Sequence, residues 1–179
     1  MNERVITNRL IFREFNLNDI DDYYNLERNP MVRKYIPNMR NSSFYECKES
    51  LRKHIDKYKD GTGIDTWAVV LRENGKFIGI TGFRYLEELD KVEIGIRLMP
   101  EYWGNGYATE TGKALIQYAF KRLGLDEIVA MAIPENEKSM KSLENIGLDF
   151  DGYGYFSGSR VAFYKATSSY SIIKNIFKY

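Results

Sequence analysis

Residues 103–109, Trp-Gly-Asn-Gly-Tyr-Ala-Thr, hold the densest chemistry in this chain. Gly104 and Gly106 flank Asn105 just before a segment with helical periodicity. Glycine lacks a Cβ, so main-chain amides in such a turn can face outward and approach a ligand closely. The first turn of a helix leaves N–H groups without partners, and the peptide dipoles add partial positive charge there. Trp103, Gly104, Asn105, Gly106, Tyr107, Ala108 and Thr109 are therefore candidates to hold a phosphate or diphosphate. A tight strand-to-helix turn, with glycines for steric reasons alone, reads the same way.

Other reactive side chains narrow the field. Cys47 and His54 are the only cysteine and histidine. Seven residues along one helix put them about 10 Å apart, too far for a nucleophile and its base. No Cys/His cluster offers a metal site, and Asp19, Asp21 and Asp22 read as the acidic start of a helix. A P-loop lacks its Gly-Lys-Ser/Thr. A dinucleotide fold lacks its third glycine, since Thr109 stands there, and the turn follows antiparallel strands rather than opening a βαβ unit. Glu93 is the one acidic side chain inside the strand leading to the turn. It alternates with Val92 and Ile94, on the face opposite the apolar residues, as a proton acceptor or as a solvated strand edge.

The elements that must position these residues follow from periodicity. Val92, Ile94, Ile96 and Leu98 mark a strand, and Ala108, Gly112, Leu115, Ile116 and Ala119 mark one face of a helix ending at Gly124. Residues 4–15 alternate as a first strand. Asn18 is a plausible cap for a helix over 19–28, residues 31–36 form a short helical turn, and Ser42 or Ser43 caps a helix to about Tyr58. Thr66–Leu71 and Phe77–Tyr85 are strands joined by an Asn74-Gly75 hairpin, and Lys91–Leu98 completes a meander. Glu127–Ile133 is a continuous apolar strand of the kind buried inside a sheet. A short helix over 137–145 and a final hairpin around Ser157-Gly158 follow. Residues 170–179 have the spacing of a short amphipathic helix.

With 179 residues the chain suits a single domain, 1–179, with 170–179 as an extension. A formal charge of +1 supplies no field to draw nucleic acid or an anionic membrane. No apolar run approaches a membrane span, and the N-terminus has no leader pattern. The single cysteine excludes an internal disulfide and fits a reducing cytoplasm.

PEYWGNGYATE resembles the acyl-CoA diphosphate loop of the GNAT superfamily of N-acyltransferases, in the branch of the ribosomal-protein-alanine N-acetyltransferases. That family's Gln/Arg-x-x-Gly-x-Gly/Ala falls on Trp103 to Ala108; Gly106 and Ala108 match, and Trp103 departs. Thr7, Arg9, Leu10, Phe12 and Arg13 are similar to the opening of this branch. Asn136, Ser139 and Gly147 match its Asn-x-x-Ser…Gly segment.

The resemblance implies a GNAT fold, α/β (α+β), whose mixed, mostly antiparallel sheet of about seven strands carries helices on both faces and splays between the fourth and fifth. It implies an acetyl-CoA-dependent N-acetyltransferase acting on a primary amine, a protein N-terminus or a small molecule, as monomer or homodimer, without metal. Ile96, Arg97 and Leu98 would meet the pantetheine arm through backbone, so alanine there should be quiet. An N–H near Leu98 would polarise the thioester carbonyl. Asn136 would bind the pantetheine amide or cap its helix. Glu93 would receive the amine proton, and Ser139 would meet the sulfur. The tyrosine that many of these enzymes use as general acid is Leu143 here, which leaves a non-catalytic acyl-CoA sensor as the alternative. Tyr23, Tyr24, Tyr35 and Tyr45 would line the acceptor cleft, or pack their helices.

Overall fold

The computed structural model describes residues 3–36 and 42–169. Among them, eight strands form one sheet: β1 (Glu3–Ile6), β2 (Leu10–Arg13), β3 (Thr66–Leu71), β4 (Phe77–Leu86), β5 (Lys91–Leu98), β6 (Glu127–Ala132), β7 (Asp149–Phe156) and β8 (Ser159–Thr167). Their spatial order is β1-β2-β3-β4-β5-β6-β8-β7. The α-helices are α1 (Ile20–Arg28), α2 (Pro30–Arg33), α3 (Phe44–Lys57), α4 (Tyr107–Lys121) and α5 (Glu137–Ile146). Neighbouring strands are antiparallel except β5 and β6, which run parallel and meet at one residue pair, Glu93 with Val129.

The expected single strand over 4–15 is a hairpin instead. Thr7 folds the chain back: its N–H donates to the Leu10 carbonyl and its Oγ accepts from the Leu10 N–H, each at 2.9 Å. The sheet therefore has eight strands, and its splay lies between the fifth and sixth, the same two segments as expected. The helix cap also moves. Asn16, not Asn18, opens a 3-10 turn over Leu17–Asp19 as half of a reciprocal capping box with Asp19. Ser43 and Glu46 make the corresponding box for α3.

Both faces of the sheet are covered. Along β3, Trp67, Val69 and Leu71 join Ile94, Leu98, Leu115, Leu143 and Ile146 beneath α4 and α5. Ala68 and Val70 join Tyr23, Leu26, Cys47 and Leu51 beneath α1 and α3. A strand buried on both sides reads as an unbroken apolar run, as TWAVVL does. Gly112 brings α4 against α5: a Cβ there would lie 2.4 Å from Ile146 Cδ1. The segment 170–179, read as a possible helix, lies outside the described residues.

Candidate active site

Hydrogen-bond parity fixes what β5 offers to its neighbours. Met99 N–H donates to the Ile78 carbonyl at 2.8 Å, so residues 99, 97, 95 and 93 face β4. Leu98, Ile96 and Ile94 therefore turn their N–H groups towards β6. Beyond the single pair at Glu93 and Val129, β6 does not take them up. The result is a gap with the Ile96 and Leu98 amides on its wall. The side chains of Ile96 and Leu98 go into the core beneath α4, and Leu98 is buried. Alanine at Leu98 is therefore not quiet: it removes core packing even where the backbone does the binding.

Because β5 and β6 are parallel, the helices that follow them start at the same end of the gap. At the first start, Gly104 and Gly106 have φ of 78° and 77°, a conformation that residues with a Cβ rarely adopt. Among the described residues, no protein acceptor takes the N–H groups of Gly104 to Thr109; the first main-chain bond is Glu110 N–H to the Gly106 carbonyl, at 3.0 Å. Six unpartnered amides at the start of a 15-residue helix suit a diphosphate. Trp103, where the family pattern has Gln or Arg, ties the turn back to the strand: its Nε1–H donates to the Leu98 carbonyl at 2.7 Å.

At the second start, Asn136 caps α5, its Oδ1 accepting from Ser139 N–H at 3.2 Å. Of its two expected roles the cap is occupied. Ser139 is half-buried, and its Oγ has no hydrogen bond among the described residues. Leu143, one turn on, is a core residue at 8% exposure.

The opposite face of β5 carries charge. Glu93 lies across from Arg84 on β4, which donates to it at 2.7 and 3.0 Å. Arg97 donates to Glu27 of α1 at 2.6 Å. Burial pushes the Glu93 carboxyl up; Arg84 and Arg97 pull it down, and burial wins, so it holds its proton to higher pH than an ordinary carboxylate. His54 of α3 lies against the rings of Phe15 and Tyr23. Burial, with Arg97 and Lys57 nearby, pushes its imidazole down to about 4. Tyr23 is a core residue with its hydroxyl on Ser50 Oγ, not a free lining group. Tyr24 packs edge-on against Phe44, and Tyr45 is exposed. Glu93 thus lies on the face of β5 opposite Ile94, and Ser139 on α5, which packs on Ile94's face.

Sequence reasoning passed over the residues that hold the turn. Glu110 accepts from Thr7 Oγ at 2.6 Å, from Arg9 N–H at 2.8 Å and from Arg9 Nε at 2.6 Å. Arg9 also donates to the Asn105 carbonyl at 2.9 Å and lies 4.4 Å over the Tyr107 ring. Burial raises the Glu110 carboxyl, but these hydrogen bonds outweigh it and leave it below its usual range. The signal was present in the two quoted segments, whose Thr7, Arg9 and Glu110 have no other evident task.

Comparison with known proteins agrees with this geometry. Residues 9–149 match the family model described as an acetyltransferase (GNAT) domain. An uncharacterized N-acetyltransferase of Bacillus subtilis, YnaD, is 33% identical over 150 residues, 83% of this chain and 84% of its own length. The fold is similar to that of RimL, a ribosomal L7/L12 alpha-N-protein acetyltransferase solved with coenzyme A: TM-score 0.77, 15% identity, 93% of this chain and 98% of that one. It is likewise similar to spermidine N-acetyltransferase from Vibrio cholerae, solved with CoA and spermine: TM-score 0.74, 22% identity, 91% and 98% covered. A matching domain over most of its length shows the family: this chain is a GNAT-family acetyltransferase.

Proposed function

We propose that this enzyme moves the acetyl group of acetyl-CoA to a primary amine by direct attack with both substrates bound. The observation that carries the reading is the row of unpartnered amides, Gly104 to Thr109, at the mouth of the β5/β6 gap. Those amides would hold the diphosphate, and the free edge of β5 would hold the pantetheine arm. The thioester supplies the activated acyl group. Leu98 N–H would polarise its carbonyl.

Each proton then has a place to go. The amine nitrogen bonds to the carbonyl carbon, the carbon–sulfur bond breaks, and the amine gives up one proton. Glu93, five residues along β5 from Leu98 and so about 16 Å away, receives that proton through a relay of waters. Its raised affinity for protons makes it a better base than an ordinary carboxylate. Sulfur leaves as thiolate and takes a proton from Ser139 Oγ, which solvent replenishes. With Leu143 buried in place of that tyrosine, the role falls to Ser139 on α5.

The acceptor is a singly charged amine, with a protein N-terminus favoured over a polyamine. A polyamine needs carboxylates free to meet several ammonium groups. On this face Glu27 and Glu93 are each engaged by an arginine. RimL acts on a ribosomal protein by its name, and the Vibrio cholerae enzyme holds spermine, so the family accommodates both chemistries. Free thiol released from acetyl-CoA, measured against short peptides with free N-termini and against spermidine and spermine, tests the proposal. Peptides should turn over faster. Polyamine preference would overturn the acceptor assignment, and acetyl-CoA binding without turnover on any amine would overturn the transfer reaction.

A further inference from the structure

We infer that Arg9, in the turn between β1 and β2, is a positioning residue for the acyl donor: it aims the Gly106 amide at the diphosphate. This rests on the acyl-CoA reading above.

In a trans peptide the carbonyl oxygen and the next N–H point in opposite directions. Arg9 Nη1 holds the Asn105 carbonyl at 2.9 Å. The Gly106 N–H, on the same plane, is therefore turned to the other side, away from the protein. Without that hold, the Asn105–Gly106 peptide is freer to rotate, since Gly106, at φ 77°, imposes little on its own side of the plane. The amide would then spend part of its time aimed elsewhere.

Arg9 can do this because it is itself fixed at several points. Its Nε and main-chain N–H both bond to Glu110, one turn inside α4. Its carbonyl accepts from Arg72 N–H at 2.8 Å, which ties the turn to the sheet. Its guanidinium lies over the Tyr107 ring. Thr7 supplies a further donor to Glu110. The contacts reach residues 105, 107 and 110, so one side chain spans the turn and the first helical turn. The planar fork of arginine makes separate bonds to Glu110 and to the Asn105 carbonyl; a lysine ammonium has the charge but not that span.

The rival role is a direct contact between the Arg9 charge and a phosphate. Arg9 Nη2 lies 3.5 Å from where a Cβ on Gly106 would sit, close enough to make the alternative concrete. Lysine substitution separates the two. So does a donor that stops short of the diphosphate, S-acetylpantetheine.

The experiment measures acetyl-CoA affinity by calorimetry, with kcat and KM for both donors, on the full chain. Arg9→Ala and Arg9→Lys should each weaken acetyl-CoA binding by about 10-fold, the scale of one charge-assisted hydrogen bond. At saturating acetyl-CoA kcat should stay within about twofold, and kcat/KM for S-acetylpantetheine should not move. Glu110→Gln should weaken acetyl-CoA binding less, and add little in the double variant with Arg9→Ala, because both act through one contact. Rescue by lysine would overturn positioning in favour of a charge contact. Equal loss with both donors would reduce Arg9 to a fold residue, and unchanged acetyl-CoA affinity would dismiss it. A wild-type enzyme that fails to bind acetyl-CoA sinks the donor site itself, whereas wild-type binding with indifferent Arg9 variants sinks this inference alone.

Discussion

The two walls of the β5 strand are built from different materials. Towards β6 and the start of α4, the groups on offer are main-chain amides: Ile96, Leu98 and the run from Gly104 to Thr109. Towards α1 and α3, they are charged side chains in pairs, Arg84 with Glu93 and Arg97 with Glu27. Backbone groups suit a partner that never changes, and they leave the side chains free to vary. Side-chain charge suits a partner that differs between relatives. One donor and many acceptors would need this division.

The largest effect is expected at Glu93. Glu93→Gln should lower kcat by about 10²-fold or more, the usual worth of a general base, with acetyl-CoA affinity unchanged. In the wild type, activity should rise with pH through a midpoint above the ordinary carboxylate value of 4.5, because the carboxyl must lose its proton to act and burial holds that proton. The variant should lose that rising limb. A pH profile that survives the substitution would move the base elsewhere.

Next in size is Gly106→Val, which should cost about 100-fold in acetyl-CoA affinity. The reason is conformational: a β-branched residue resists a φ of 77°, and in the empty protein a Cβ at this position meets only Arg9, at 3.5 Å. Titration calorimetry would show it, and circular dichroism would show the fold retained. Normal affinity would mean that the turn does not carry the diphosphate.

Leu98→Ala sharpens the contrast between backbone and side chain. It should lower unfolding free energy by about 2–4 kcal/mol, since Leu98 is buried against α4, yet leave acetyl-CoA affinity at permissive temperature within a few fold. Denaturant melts and a binding isotherm on the same sample test both halves.

The smallest effect belongs to His54 on the acceptor wall. Its folded value, about 4, lies below the unfolded 6.5, so acid favours the unfolded chain, which binds the extra proton. Stability should therefore be whole above pH 6.5 and fall by up to about 2–3 kcal/mol as pH drops towards 4. Replacement by phenylalanine, which keeps the ring contact with Phe15 and Tyr23, should flatten that window in thermal melts across pH.

What the sequence revealed follows the same division. The turn at 103–109 was readable because backbone geometry demands glycine, and glycine leaves a visible mark. The Asn74-Gly75 hairpin and the doubly buried β3 were readable for similar local reasons. The turn at Thr7-Asn8-Arg9 was not, because it closes through a threonine side chain and carries neither glycine nor proline. Asn16 lost its place to Asn18 because the spacing to Asp19, not proximity to the helix, decides a capping box. Tethers between Glu110 and Thr7 or Arg9 join residues about a hundred positions apart, which no window of periodicity can see. Trp103 looked like a departure and proves to be a brace on the Leu98 carbonyl. Arg84, by contrast, was within reach: counting back through the β4–β5 hairpin puts it opposite Glu93.

By position β5 is an interior strand, fifth of eight, yet half of its length is an open rim. An exposed rim at the outside of a sheet invites strands from other molecules and, with them, aggregation. Here the same unsatisfied groups face β6, which pairs with β5 only at Glu93 and Val129. A foreign strand would bring side chains to both faces of a sheet already covered by helices. A slender diamide arm such as pantetheine brings fewer, and by bonding to that rim it would act as the missing rung of the ladder.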